Sequence, residues 1–127
     1  MTIRVYAQVL GVVLVLTGVL GLVLGERLLL GILNIDILED IVHILTGAIL
    51  AYVGFGRTDL ALARNVVLGL GVVYLLVGLL GFVVPTLFGL LPDGYTIFDN
   101  LLHLALGGLS IAVAYSQPGT RRGGAQR

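Results

Sequence analysis

Four stretches of this chain, residues 5–25, 41–56, 65–92 and 101–120, contain no Asp, Glu, Lys or Arg. At about 1.5 Å per residue, a helix through each crosses roughly 30 Å of hydrocarbon, the second once its acidic start at Glu39 and Asp40 sits among headgroups. Such unbroken runs of Leu and Val lack the alternation of a barrel strand, and lipid leaves the helix as the economical way to satisfy the backbone. Composition agrees: the chain is 58% hydrophobic and 11% charged, too few polar side chains to coat a soluble core. The expectation is an all-α integral membrane protein, a four-transmembrane-helix bundle with spans near residues 4–24, 37–56, 63–84 and 97–116.

Charge placement orients the bundle. Arg4, Arg57, Arg64, Arg121, Arg122 and Arg127 fall on one side of such a bundle and Arg27 alone on the other, so the positive-inside rule puts both termini in the cytoplasm of a cell membrane. The first span follows a basic residue as a secretory signal would. It is too long for a signal core, however, and Gly25-Glu26-Arg27 offers no small-x-small cleavage site. Residues 118–127, rich in Gly and Arg, read as a disordered cytoplasmic tail able to touch anionic lipid. A net charge of zero supplies no basic face for nucleic acid, and the absence of Cys removes disulfides and thiolate metal sites. The expected partners are the lipid bilayer and either a second copy or another membrane protein.

Shifted by 60, the chain registers on itself without a gap. Gly11, Gly18 and Gly21 fall on Gly71, Gly78 and Gly81, while His43 and Gly47 fall on His103 and Gly107. Placing both of its histidines in register points to two tandem two-helix repeats, residues 1–60 and 61–117. Both repeats start on the same side, so the pseudo-twofold axis runs along the membrane normal, and His43 and His103 lie at equal depth toward the outer leaflet. Gly11, Gly18, Gly21 and Gly25 share a face within about 80°, a surface on which helices approach closely and on which copies could pair.

The outer connections, residues 28–33 and 88–91, are apolar and suit interfacial turns. Each leads to a capping-box pattern, Asp36-x-x-Glu39 and Thr96-x-x-Asp99, which gives Glu39 and Asp99 a structural job. The same two acids stand four residues before His43 and His103, which are themselves four before Gly47 and Gly107. Asp40 and Asn100 add a polar group three residues before each imidazole.

Histidine inside a span is costly, so binding is weighed against a satisfied structural clamp between hairpins. Two imidazoles and the carboxylates of Glu39 and Asp99 would make a four-ligand site for zinc, iron or manganese. Alternatively, two axial histidines could hold a haem, with Gly47 and Gly107 making room for the ring. Tyr6, Tyr52 and Tyr115 near the inner interface and Tyr95 near the outer one read as an aromatic belt, whereas Tyr74 lies deeper and needs a partner such as Thr17 or Ser110. No catalytic triad, P-loop or dinucleotide fingerprint is present, and no pattern specifies a cofactor.

Asp40-x-x-His43-Ile-Leu-Thr-Gly47 and Asn100-x-x-His103-Leu-Ala-Leu-Gly107, each after an apolar loop, resemble the repeated Asn/Asp-x-x-His-Leu-x-x-x-Gly segment of a bacterial family of small four-span membrane proteins of unknown function. The first copy departs by carrying Asp40 for Asn and Ile44 for Leu. The resemblance implies a membrane bundle and no activity; a looser similarity to DoxX-like proteins would imply redox-linked membrane physiology. The expected function is a non-enzymatic structural or interaction module of the cytoplasmic membrane. A metal- or haem-binding module using His43, His103, Glu39 and Asp99 is the alternative, and a transporter assembled from several copies ranks behind both.

Overall fold

The computed structural model describes residues 1–25, 31–34, 36–56 and 59–117. Its helices are α1 (Ile3–Leu24), α2 (Ile37–Phe55), α3 (Leu60–Val83) and α4 (Ile97–Ser116), all long and apolar enough to cross a membrane. Each begins at a residue that caps free amides. Thr2 accepts from Val5, Asp36 from Leu38, Asp59 from Leu62 and Thr96 from Asp99. The Asp59 cap is why α3 starts three residues before the expected span. Of the two expected capping boxes, only Thr96/Asp99 forms. At α2 the Asp36 carboxylate accepts from the second helical amide instead, and Glu39 turns away from its cap.

Packing is strongest within each hairpin, α1 on α2 and α3 on α4, and it runs along the glycines. A Cβ on Gly11 would lie 2.6 Å from the Ala51 nitrogen, and one on Gly47 would lie 2.7 Å from that of Val15. In the second hairpin, Gly71 abuts Ser110, and a Cβ on Gly107 would lie 2.5 Å from the Leu75 nitrogen. Higher up, Gly18 faces Ile44 and Gly78 faces Leu104, while Gly21 and Gly81 are notches filled by the side chains of Asp40 and Asn100. These contacts recur at the offset of 60 seen in the sequence. The glycine faces are used inside the chain, against backbone and side chains of the paired helix. One expectation is corrected here. Gly25 is outside the stripe: no atom comes within 4 Å of its Cβ position, and its φ of 76° ends α1 instead.

Two arginines, also 60 apart, close the end of the bundle that holds the N-terminus. Arg4 donates to the Gly56 carbonyl at 2.7 Å, and Arg64 donates to the Ala114 carbonyl at 2.8 Å. Each thus satisfies a free carbonyl near the C-terminus of its partner helix, where positive charge also complements the helix dipole. Most remaining apolar side chains, such as Leu16, Leu45, Leu76 and Leu101, point outward, as hydrocarbon surroundings permit.

The hairpins meet through hydrogen bonds that the sequence did not assign. Tyr6 is buried and shares a 2.7 Å bond with Ser110, so it belongs to the core and not to an aromatic belt. Tyr74 pairs with Thr46 at 2.9 Å and not with Thr17 or Ser110, because α3 presents that ring to α2. Tyr52 and Tyr115 are exposed. At the opposite end, the Asn34 amide donates to the Asp99 carboxylate at 3.0 Å, and the Thr96 hydroxyl donates to the Ile32 carbonyl at 2.6 Å. These bonds stitch the loop of the first hairpin to the start of α4.

The connection after α3 turns through Leu87, Phe88 and Gly89 at φ of 44°, 62° and 88°, leaving Phe88 exposed and Leu91 buried. Residues 28–30 of the first connection and all of 118–127 lie outside the described residues, as do Glu26, Arg27, Arg57 and the three tail arginines.

Candidate functional site

Asp36 starts α2 and Thr96 starts α4, so the first two turns of both helices deliver their polar residues to the same depth. The bundle then brings one residue pair from α2 against one residue of α4. Glu39 Oε1 lies 4.0 Å from His43 Nε2 and 3.8 Å from His103 Nε2. The imidazoles are nearly parallel, with ring centroids 6.3 Å apart and an interplanar angle of 14°. One ligand atom from each of Glu39, His43 and His103 falls within 4.8 Å of the others.

Both imidazole contacts are too long to be hydrogen bonds, so the three groups face one another without bonding. Glu39 is 8% exposed and His103 6%. Among the described residues, neither Glu39 Oε2 nor His43 Nδ1 has a hydrogen-bond partner. His103 differs: its Nδ1 donates to the Asp99 carbonyl at 2.7 Å. That carbonyl can only accept, so Nδ1 carries a proton and Nε2 is the ring nitrogen that faces Glu39. Tyr74 lies against the His103 ring at 5.5 Å between centroids, and Tyr95 meets it edge-on at 5.0 Å. Burial, reinforced by the Glu39 and Asp99 carboxylates, raises the Tyr95 hydroxyl above its ordinary pKa and keeps it neutral.

The cluster lines a 390 Å³ cavity bordered by α1, α2 and α4. Its walls are apolar, with Val13, Leu14, Leu20 and Leu24 on one side and Leu102 and Leu106 on the other. Its polar lining consists of Thr17, Asn34, Glu39, Asp40, His43, Asp99 and His103.

The expected site residues therefore separate. Glu39, His43 and His103 converge. Asp99 stays out of the ligand group, since its carboxylate accepts from the Thr96 amide and the Asn34 amide. Asp40 lines the cavity but sits in the Gly21 notch, whereas Asn100 sits in the Gly81 notch and away from the cavity lining. The haem reading does not fit: Gly47 and Gly107, meant to make room for the ring, have the backbones of α1 and α3 against them.

Asn34 was missed by sequence reasoning. It is 8% exposed, lines the cavity, and neither its side-chain oxygen nor its nitrogen has a partner among the described residues. The available signal was an amide side chain in an apolar loop two residues before a helix cap.

One protein-family model matches residues 4–116, all four helices and nearly the whole chain. The chain belongs to that family, described as a domain of unknown function, DUF4383. No curated protein and no solved structure matches it. Membership of DUF4383 agrees with the expected uncharacterised family and brings no activity with it, so function must be argued from the cluster and its cavity.

Proposed function

We propose that this protein is a non-enzymatic binding module of the bacterial cytoplasmic membrane, built from a duplicated hairpin with both termini cytoplasmic. Its cavity bordered by α1, α2 and α4 takes a small ligand at the Glu39, His43 and His103 cluster. One observation carries the reading: a carboxylate more than nine-tenths buried faces two imidazoles without hydrogen-bonding to either, and its Oε2 has no partner among the described residues. A buried polar group left unpaired costs about 1–3 kcal/mol, so an arrangement that serves only stability would replace it or satisfy it. With several acceptor atoms and two imidazoles in its lining, the cavity suits a cation or a ligand rich in hydrogen-bond donors.

A purely structural clamp is the second reading, favoured by the Asn34, Thr96 and Asp99 bonds that tie the hairpins together beside the cluster. The two readings predict opposite signs for Glu39→Met in ligand-free protein. A binding site gives up stability for function, so an apolar side chain of similar length raises stability by about 1–2 kcal/mol. A clamp would lose stability by a comparable amount. Unfolding in detergent after exhaustive chelation and washing measures the difference, and a lower midpoint for the variant rejects the binding reading.

A further inference from the structure

We propose that Glu39, His43 and His103 form a binding site for a divalent transition-metal ion, with Asp99 as a positioning residue outside the coordination sphere. This rests on the binding reading above and names its ligand. Three observations support it. The donors are two imidazoles and one carboxylate, a set that suits zinc or divalent iron and offers too few oxygens for calcium or magnesium.

The spacing is also close to what an ion needs. Metal–ligand lengths of about 2.0–2.2 Å place two donors of a tetrahedral site roughly 3.4 Å apart. The Glu39 to imidazole separations of 3.8 and 4.0 Å therefore close with shifts of about half an ångström. Finally, His103 already has the outer-shell bond typical of a ligating imidazole. Its Nδ1–H is held by the Asp99 carbonyl, while the Asp99 carboxylate is fixed in turn by Thr96 and Asn34. Three protein donors leave coordination positions open toward the cavity, where Asn34 and Asp40 present unpartnered side-chain atoms. Imidazoles must be neutral to bind, so the ion is released on acidification.

The test uses the full chain, tag removed, purified in detergent, stripped with chelator, incubated with zinc sulfate and passed through a desalting column. One zinc per chain is expected, undiminished by excess magnesium. Glu39→Gln, His43→Ala and His103→Ala should each lower zinc affinity by more than about 100-fold, beyond the 10- to 100-fold typical of outer-shell changes. Asp59→Asn, at the opposite end of the bundle, should bind as wild type.

Wild-type protein that retains no zinc overturns the proposal, as does equal binding by wild type and all three site variants. Helical circular dichroism checks that each variant is folded, and the wild-type stoichiometry decides the question should one of them fail. The stability of Glu39→Met in chelated protein separates the two claims. No zinc with a stabilised variant removes the metal and leaves a binding site for another ligand. No zinc with a destabilised variant removes both.

Discussion

At the scale of single residues, the seams between helices depend on atoms that are missing. A methyl group on Gly11 would come within 2.6 Å of the Ala51 nitrogen and 2.9 Å of the Gly47 carbonyl, so Gly11→Ala must push α1 off α2. The expected loss is about 1–3 kcal/mol, the usual cost of overpacking. Gly69→Ala is the internal control: it lies within α3 with no atom within 4 Å of the new methyl, and it should be neutral or gain about 0.5–1 kcal/mol. Detergent unfolding of both variants reads the difference. The glycines were legible because their spacing survives in the sequence, as were His43 and His103. The orientation of Glu39 was not legible. Asp36-x-x-Glu39 and Thr96-x-x-Asp99 look alike on paper, yet the Asp99 side chain reaches back to its own cap while Glu39 points at the imidazoles. The outcome depends on what the opposite hairpin presents, which no local pattern contains.

At the scale of elements, the four charge-free runs predicted four helices, and their termini follow from residues that can be named in advance. Asp59 moves the start of α3 outward, and Gly25 ends α1 in a conformation that suits glycine. Rotation of each helix about its axis was the harder quantity. A helix apolar on every side gives no stripe from which to read its buried face. Hence the partners of Tyr6 and Tyr74 were unreadable, although each needed one. Their bonds to Ser110 and Thr46 join α1 to α4 and α3 to α2, so they fix the relation between hairpins where glycine packing does not.

At the scale of the whole molecule, an even number of spans puts both ends on one side, and the arginine distribution predicts that this side is the cytoplasm. A reporter fused after Arg127 should be active only in its cytoplasmic form; activity of a reporter that works only outside would invert the bundle. Recurrence of the glycine notches and of the Arg4 and Arg64 caps at an offset of 60 supports duplication of one hairpin. Two matched hairpins bring two matched histidines together, and the departures from symmetry create the site. Glu39 is free where Asp99 is engaged, and α1, α2 and α4 border a cavity. A shared site requires that α2 and α4 meet at His43 and His103. The chain contains no cysteine, so the double variant His43→Cys/His103→Cys carries only the two thiols of interest. Treated in native membranes with a short bis-methanethiosulfonate reagent, it should bridge within one chain in high yield, whereas Leu45→Cys/Leu101→Cys, at exposed outward positions, should not. Failure of the histidine-position pair to bridge, or bridging only between chains, would contradict a shared site.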